Sequence, residues 1–141
     1  MSTSLKLSIL SPERRLIQGA EVSELTLTTS EGQIQVLPGH GAMVGTLSTG
    51  PFRYVDNAGT SEVGVISTGF FEVAEDNVTV LAETLELKGE IDVNRAQRAQ
   101  KNAEEALKDA ALDEHQFGKY QLKLQRALIR QQIAGKDHGD L

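Results

Sequence analysis

Residues 85–96 read LELKGEIDVNRA, and the periodicity of the chain changes inside this stretch. On its N-terminal side apolar residues alternate with polar ones: Leu5, Leu7 and Ile9; Leu25 and Leu27; Ile34 and Val36; Phe52 and Tyr54. A period of two gives a strand one buried and one wet face. Turn residues punctuate these runs at Ser11-Pro12, Glu31-Gly32, Pro38-Gly39, Asp56 to Gly59 and Asp76-Asn77. Many short strands at such spacing predict an antiparallel sandwich or barrel over residues 1–87.

From residue 88 to 141, glycine and strand formers give way to Ala, Lys, Arg, Gln and Glu, which favour helix. Asp92 is placed to cap a first helix, in which Val93, Ala96, Ala99 or Gln100, Ala103, Ala106 or Leu107 and Ala110 form a mostly small-residue stripe. Asp113 with Gln116 makes a capping-box variant ahead of a second stripe of Phe117, Tyr120, Leu124 and Ala127 or Leu128. Only a few residues join the two helices, so they are predicted to fold back as an antiparallel hairpin, the alanines of the first admitting the larger side chains of the second. Lys136–Leu141 is expected to fray.

Composition narrows the function classes. At 141 residues the chain has room for one small domain with a helical appendage. Its net charge of −6 is uneven: residues 1–87 carry 4 basic and 11 acidic groups, net −7, and residues 88–141 carry 10 and 9, net +1. Nucleic acid is therefore not an expected partner of the first region. The absence of cysteine excludes disulfides and thiolate metal sites and fits a reducing compartment. No run approaches the roughly 20 apolar residues of a membrane span, and Met1 to Leu10 lacks the basic start and long apolar core of a signal peptide. Membrane contact is expected only through partners. His40, His115 and His138 share no metal-ligand spacing, there is no phosphate-binding loop, and Ser11, Ser30 and Ser67 have no nucleophile-elbow setting. The chain is not read as an enzyme, and no metal site or required cofactor is predicted.

Four ordered segments carry a resemblance: Ser30-Glu31-Gly32, Val36-Leu37-Pro38-Gly39-His40, Gly69-Phe70-Phe71-Glu72-Val73 and Asn77-Val78-Thr79-Val80-Leu81-Ala82-Glu83. Followed by a two-helix tail, they resemble the epsilon subunits of bacterial-type rotary ATP synthases over nearly the whole chain. Two positions depart from that pattern: Gly41-Ala42-Met43 stands where a proline usually follows the histidine, and Thr68-Gly69 where a glycine pair precedes the aromatic residue. The resemblance implies a ten-stranded sandwich that holds the gamma subunit and rests on the c-ring. It also implies a helical hairpin that lies folded or extends to the catalytic alpha and beta subunits and blocks ATP hydrolysis. It places Glu31, Gly32, Pro38, Gly39 and His40 on the c-ring and gamma side of the sandwich. The location it implies is peripheral, on the cytoplasmic face of a bacterial plasma membrane, with a plastid thylakoid as the alternative. The lack of a transit-like leader favours bacterial or organelle-encoded synthesis.

Two features of the helical region have a plain and a functional reading. Ile91-Asp92-Val93-Asn94-Arg95-Ala96 is an ordinary capped helix start. It also matches the pattern that, in several of these subunits, binds ATP together with second-helix arginines, here Arg126 and Arg130. A basic residue of strong binders is replaced by Asn102, and losing one charge-assisted phosphate contact costs roughly 1.5–3 kcal/mol. ATP is thus expected as a weak regulatory ligand. An alternative is an ATP-sensing module with the sandwich as passive scaffold. Lys119, Lys123, Arg126 and Arg130, spaced by four, three and four, form a basic stripe on one helix face, with no acidic residue between His115 and Lys136. That stripe is either solvated, paired across the hairpin to Glu104, Glu105 and Asp109, or kept for phosphates and acidic subunit surface.

Overall fold

The computed structural model describes residues 3–135, so the expected fraying of Lys136–Leu141 and the placement of His138 lie outside the described residues. The strands are β1 (Leu5–Leu10), β2 (Arg15–Thr29), β3 (Gly32–Val36), β4 (Met43–Leu47), β5 (Gly50–Asp56), β6 (Ser61–Ile66), β7 (Gly69–Ala74), β8 (Asn77–Ala82) and β9 (Leu85–Leu87). A 3-10 turn, Lys88–Glu90, leads into helices α1 (Val93–Leu107) and α2 (Glu114–Ala134).

Among the described residues there are nine strands, not the ten implied by resemblance. The physical reason lies in β2, whose 15 residues run unbroken from one layer into the other. Its first part pairs with β1 through Val22, and its second part pairs with β3 and β5. Gly19, at φ +67, and shifted register against β1 near Ile9 bend this long strand. One layer is therefore β4–β7–β8–β1 with the start of β2, and the other is β3, the end of β2, β5, β6 and β9. The β1–β8 pair is parallel, the exception in an otherwise antiparallel arrangement. It joins strands far apart in sequence, so no short turn has to connect them.

The alternating residues do what their period dictates. Leu5, Leu7 and Ile9 of β1 and Leu25, Leu27 and Phe52 of the opposite layer are fully buried between the layers. A Cβ on Gly64 of β6 would run into the Glu86 carbonyl and the Phe52 ring, and its absence lets β9 lie against β6.

α1 and α2 form the expected antiparallel hairpin, capped by Asp92 and by the Asp113–Gln116 box. Ala96 and Ala103 of α1 are buried with Ala127 of α2, and Gln131 donates to Gln100 across the pair at 2.7 Å. The α2 stripe differs from expectation. Phe117 and Leu128 are exposed, whereas Ile133 is buried against Val63 and Val65 of β6 with Ile91 and Ile129 beside it. Both α1, at Ala127, and the sandwich, at Ile133, select which apolar residues of α2 are covered.

The Arg14 guanidinium also ties the β1–β2 turn to Glu90, donating to both carboxylate oxygens at 3.0 and 2.9 Å. The Leu87 amide donates to the same carboxylate at 2.8 Å. That amide chiefly, opposed by desolvation and helped by Arg14, holds the Glu90 pKa below its ordinary 4.5. A lowered folded-state pKa stabilises the fold above the unfolded value, and the contribution is lost as pH falls through the folded one. In urea melts, Glu90→Gln is expected to be less stable than wild type above pH 4.5, the difference closing as the pH drops below that value.

Candidate functional site

The helical spacing that makes the hairpin also gathers its cations. Arg95, Ala99, Asn102 and Ala103 of α1 and Tyr120, Lys123, Arg126, Ala127 and Arg130 of α2 line one cleft of about 330 Å³. The alanines keep the backbones close, and the longer side chains at the edge form the walls. No carboxylate lines the cleft. Arg130 is fixed there by Glu86 of β9, with Nε and Nη2 donating to the two carboxylate oxygens at 2.7 and 3.0 Å. Lys123 Nζ sits 5.5 Å from the centroid of the Tyr120 ring, a cation–π contact. Arg126 Nε is buried with no hydrogen-bond partner among the described residues. A buried unpaired guanidinium nitrogen costs free energy that an incoming acceptor can recover.

Sequence-predicted residues divide accordingly. Arg95, Arg126 and Arg130 share the cleft. Asp92 does not line it; its carboxylate accepts the Arg95 amide at 3.0 Å and caps α1. The basic stripe splits: Lys119 lies in a neighbouring groove with Glu83, Glu114 and His115, while Lys123 and Arg126 border both hollows. The counter-charge considered across the hairpin is not used in that way. Arg130 takes Glu86 of the sandwich, Glu105 pairs with Lys108 at 3.3 Å, Asp109 accepts the Ala111 amide, and Glu104 is exposed. Helix carboxylates close to α1's own turn find local partners first, because those need no long-range ordering. Tyr120 and Glu86 were missed by sequence reasoning. Tyr120 was assigned to the apolar stripe, and Glu86 lies 44 residues from its partner with no local signal.

The two loops ascribed to c-ring and gamma contact lie apart. Ser30 and Glu31 form the β2–β3 turn and Gly32 opens β3 at φ +114, with the Thr29 hydroxyl donating to the Gly32 carbonyl at 2.7 Å. Pro38, Gly39 and His40 form the β3–β4 connection, at the other end of the 5-residue β3. One surface reaches both only by covering that strand, a length of about 16 Å. The His40 ring is spoken for locally, Nδ1 lying 2.7 Å from the Gly41 carbonyl. Among the described residues no cluster of His, Asp and Glu is arranged to hold a metal.

A further feature escaped the sequence reading. Val44, Phe70 and Leu81, from the adjacent strands β4, β7 and β8, are 75%, 64% and 48% exposed. Phe70 pairs directly with Leu81 and with Thr46, two residues from Val44, so all three stand on the outer face. Hollows of about 330 and 960 Å³ flank Phe70, the larger one bordered by Leu10, Pro12, Arg15 and Glu83. The available signal was the loss of alternation at Phe70-Phe71 and Val80-Leu81-Ala82.

Both halves of the chain match known domains. Residues 4–88 match the ATP synthase, Delta/Epsilon chain, beta-sandwich domain, and residues 90–135 the ATP synthase, Delta/Epsilon chain, long alpha-helix domain. The chain belongs to the ATP synthase delta/epsilon chain family. Similar members include the ATP synthase epsilon chains of Geotalea daltonii, 40% identical over 96% of this chain and 97% of that one, and of Geobacter sulfurreducens, 38% identical with the same coverage. The fold is shared with a chain of the Euglena gracilis mitochondrial ATP synthase, in a structure of OSCP, F1 and c-ring. Its TM-score is 0.80 at 22% identity, covering 91% of this chain and 79% of that one. Members of this family are accessory subunits of the ATP synthase complex and not its catalytic part. No helix among the described residues is long and apolar enough to cross a membrane.

Proposed function

We propose that this chain works in the central stalk of a proton-driven rotary ATP synthase, its sandwich coupling c-ring rotation to the gamma subunit and its hairpin restraining ATP hydrolysis. The observation that carries the coupling half is the exposed apolar face of Val44, Phe70 and Leu81. Contiguous exposed apolar surface marks a protein interface, and aromatic residues at its centre tend to dominate the binding energy. Gamma is the partner assigned to this face, with the c-ring against the Pro38–His40 loop. The site of action is the cytoplasmic face of the bacterial membrane, reached only through the complex.

The hairpin half rests on how little holds α2 to the sandwich. Ile133 is the large apolar side chain of α2 buried at the contact, worth about 1.5–3 kcal/mol. The part-buried Arg130–Glu86 pair adds about 1 kcal/mol. A docking energy of this size suits an element that partners or a ligand can bias between two positions. In the extended position Lys119, Lys123 and Arg126 would meet acidic surface on the catalytic alpha and beta subunits.

A second reading, a regulatory ATP site, is favoured by the cleft itself. Arg95, Lys123 and Arg126 have no ion-pair partner among the described residues and face a cavity without carboxylates. Asn102 and the commitment of Arg130 to Glu86 keep the affinity low.

The coupling half is tested with Val44→Asp and Phe70→Asp combined. Both side chains are exposed, so the isolated chain should melt as wild type, while affinity for gamma should fall at least about 30-fold. Unchanged co-purification with gamma would refute this face as the docking surface.

A further inference from the structure

We infer that Asp76 is a positioning residue: through its carboxylate it holds the Pro38–Gly39–His40 loop in the shape that docks on the rotor, at the expense of its own turn. The inference rests on the proposed contact between that loop and the c-ring.

Ala74 pairs with Asn77, so β7 and β8 are joined by two residues, Glu75 and Asp76. Both have positive φ, 51° and 62°, the left-handed pair of a type I′ hairpin turn. Such turns favour glycine, above all at the second position, because a Cβ is crowded there. This chain places an acidic side chain with a Cβ at each. The compensation at Asp76 is visible 37 residues away: its Oδ1 accepts the Gly39 amide at 2.7 Å, a charge-assisted hydrogen bond. The Asp76 carbonyl also accepts the Lys6 amide at 2.8 Å, and Asn77 Nδ2 donates to the Glu75 carbonyl at 3.1 Å, so the turn is itself anchored.

The loop needs such an anchor. Gly39 takes φ +87, and Gly39, Gly41 and Ala42 are exposed. Two of its hydrogen bonds stay inside it, the His40 amide to the Leu37 carbonyl at 3.0 Å and the His40 ring to the Gly41 carbonyl. The bond to Asp76 leaves it and ties it to the sandwich. A loop ordered before it meets its partner gives up less conformational entropy on docking.

Glycine at position 76 relaxes the turn while removing the tether, so stability and docking should separate. Full-length Asp76→Gly is expected to melt within about 3 °C of wild type. Its Gly39 amide should lose protection from hydrogen exchange. Its affinity for membranes carrying the ATP synthase stripped of this subunit should fall about tenfold. Asp76→Asn tolerates the left-handed conformation and keeps an acceptor oxygen, and should bind as wild type. Wild-type affinity for Asp76→Gly would overturn the inference, as would a joint fall of melting temperature and affinity in both variants. Ala42→Arg, a bulky charge at the exposed edge of the loop, tests the underlying contact. If it weakens binding and Asp76→Gly does not, the tether alone is refuted; if neither does, the loop is not at the interface.

Discussion

Calorimetric titration of the full chain with magnesium ATP should give weak saturable binding for wild type, and Arg126→Ala should weaken it roughly tenfold to a hundredfold. Arg126 is singled out by its surroundings. Its Nε is buried without a partner, whereas both donating nitrogens of Arg130 are engaged by Glu86. An anion entering the cleft therefore gains its least contested contact at Arg126, and it recovers a desolvation cost that the protein already bears. Lys119→Ala provides the contrast. Lys119 lies outside the cleft, in the groove with Glu83 and Glu114, so its loss should leave the titration nearly unchanged. Raised salt should weaken the wild-type isotherm. A wild-type chain that takes up no ATP at millimolar concentration would remove the nucleotide reading and leave the cleft as a cationic surface awaiting an acidic partner.

Ile133→Asp should release the hairpin from the sandwich without unfolding either. Ile133 is 1% exposed and packs in a small cluster with Val63, Val65, Ile91 and Ile129, separate from the main core. Burying a carboxylate there would cost more than removing the side chain, and Ile→Ala alone costs about 2–5 kcal/mol in a packed site. That is as large as the whole estimated docking energy, so the docked position should become the minor one. Hydrogen exchange can read this directly. Undocked, the folded helix pair opens more readily, so amides of α2 should lose part of their protection, while those of β1, β2 and β5, whose Leu5, Leu25 and Phe52 sit in the other cluster, should keep it. Loss of protection throughout the sandwich would mean that the hairpin is an integral part of one cooperative unit, and the two-position account would fail.

What was legible beforehand follows the range of the interactions involved. Local signals were sufficient for α1 and α2: the carboxylates of Asp92 and Asp113 cap where their spacing says they should. The alternation at Leu5, Leu7 and Ile9 likewise marks a strand with one buried face. Long-range pairing was not legible. Nothing near β2 says that its 15 residues pass from one layer to the other, and nothing near Glu86 says that it meets Arg130. The same limit explains Ile133, which lies beyond the stripe read on the second helix and gains its meaning only when β6 is placed beneath it. The apolar face failed for a different reason. Phe70 and Leu81 lie in runs with apolar residues on both phases, and such runs do not say which phase faces water. For the candidate site, the resemblance named Arg95, Arg126 and Arg130 together, and the three line one cleft, with Tyr120 beside them. It also grouped Asp92 with those arginines, whereas that carboxylate serves as the helix cap that local spacing indicated, and it put the Glu31 and His40 loops on one side although they stand at opposite ends of β3.

The division of labour between sandwich and hairpin is tested most directly by ending the chain after Gly89 and comparing proton pumping with ATP hydrolysis in the assembled synthase. If the sandwich couples and the hairpin restrains, pumping per ATP stays at the full-length value while hydrolysis rises. Loss of coupling, or hydrolysis equal to that of the full-length complex, would contradict the account.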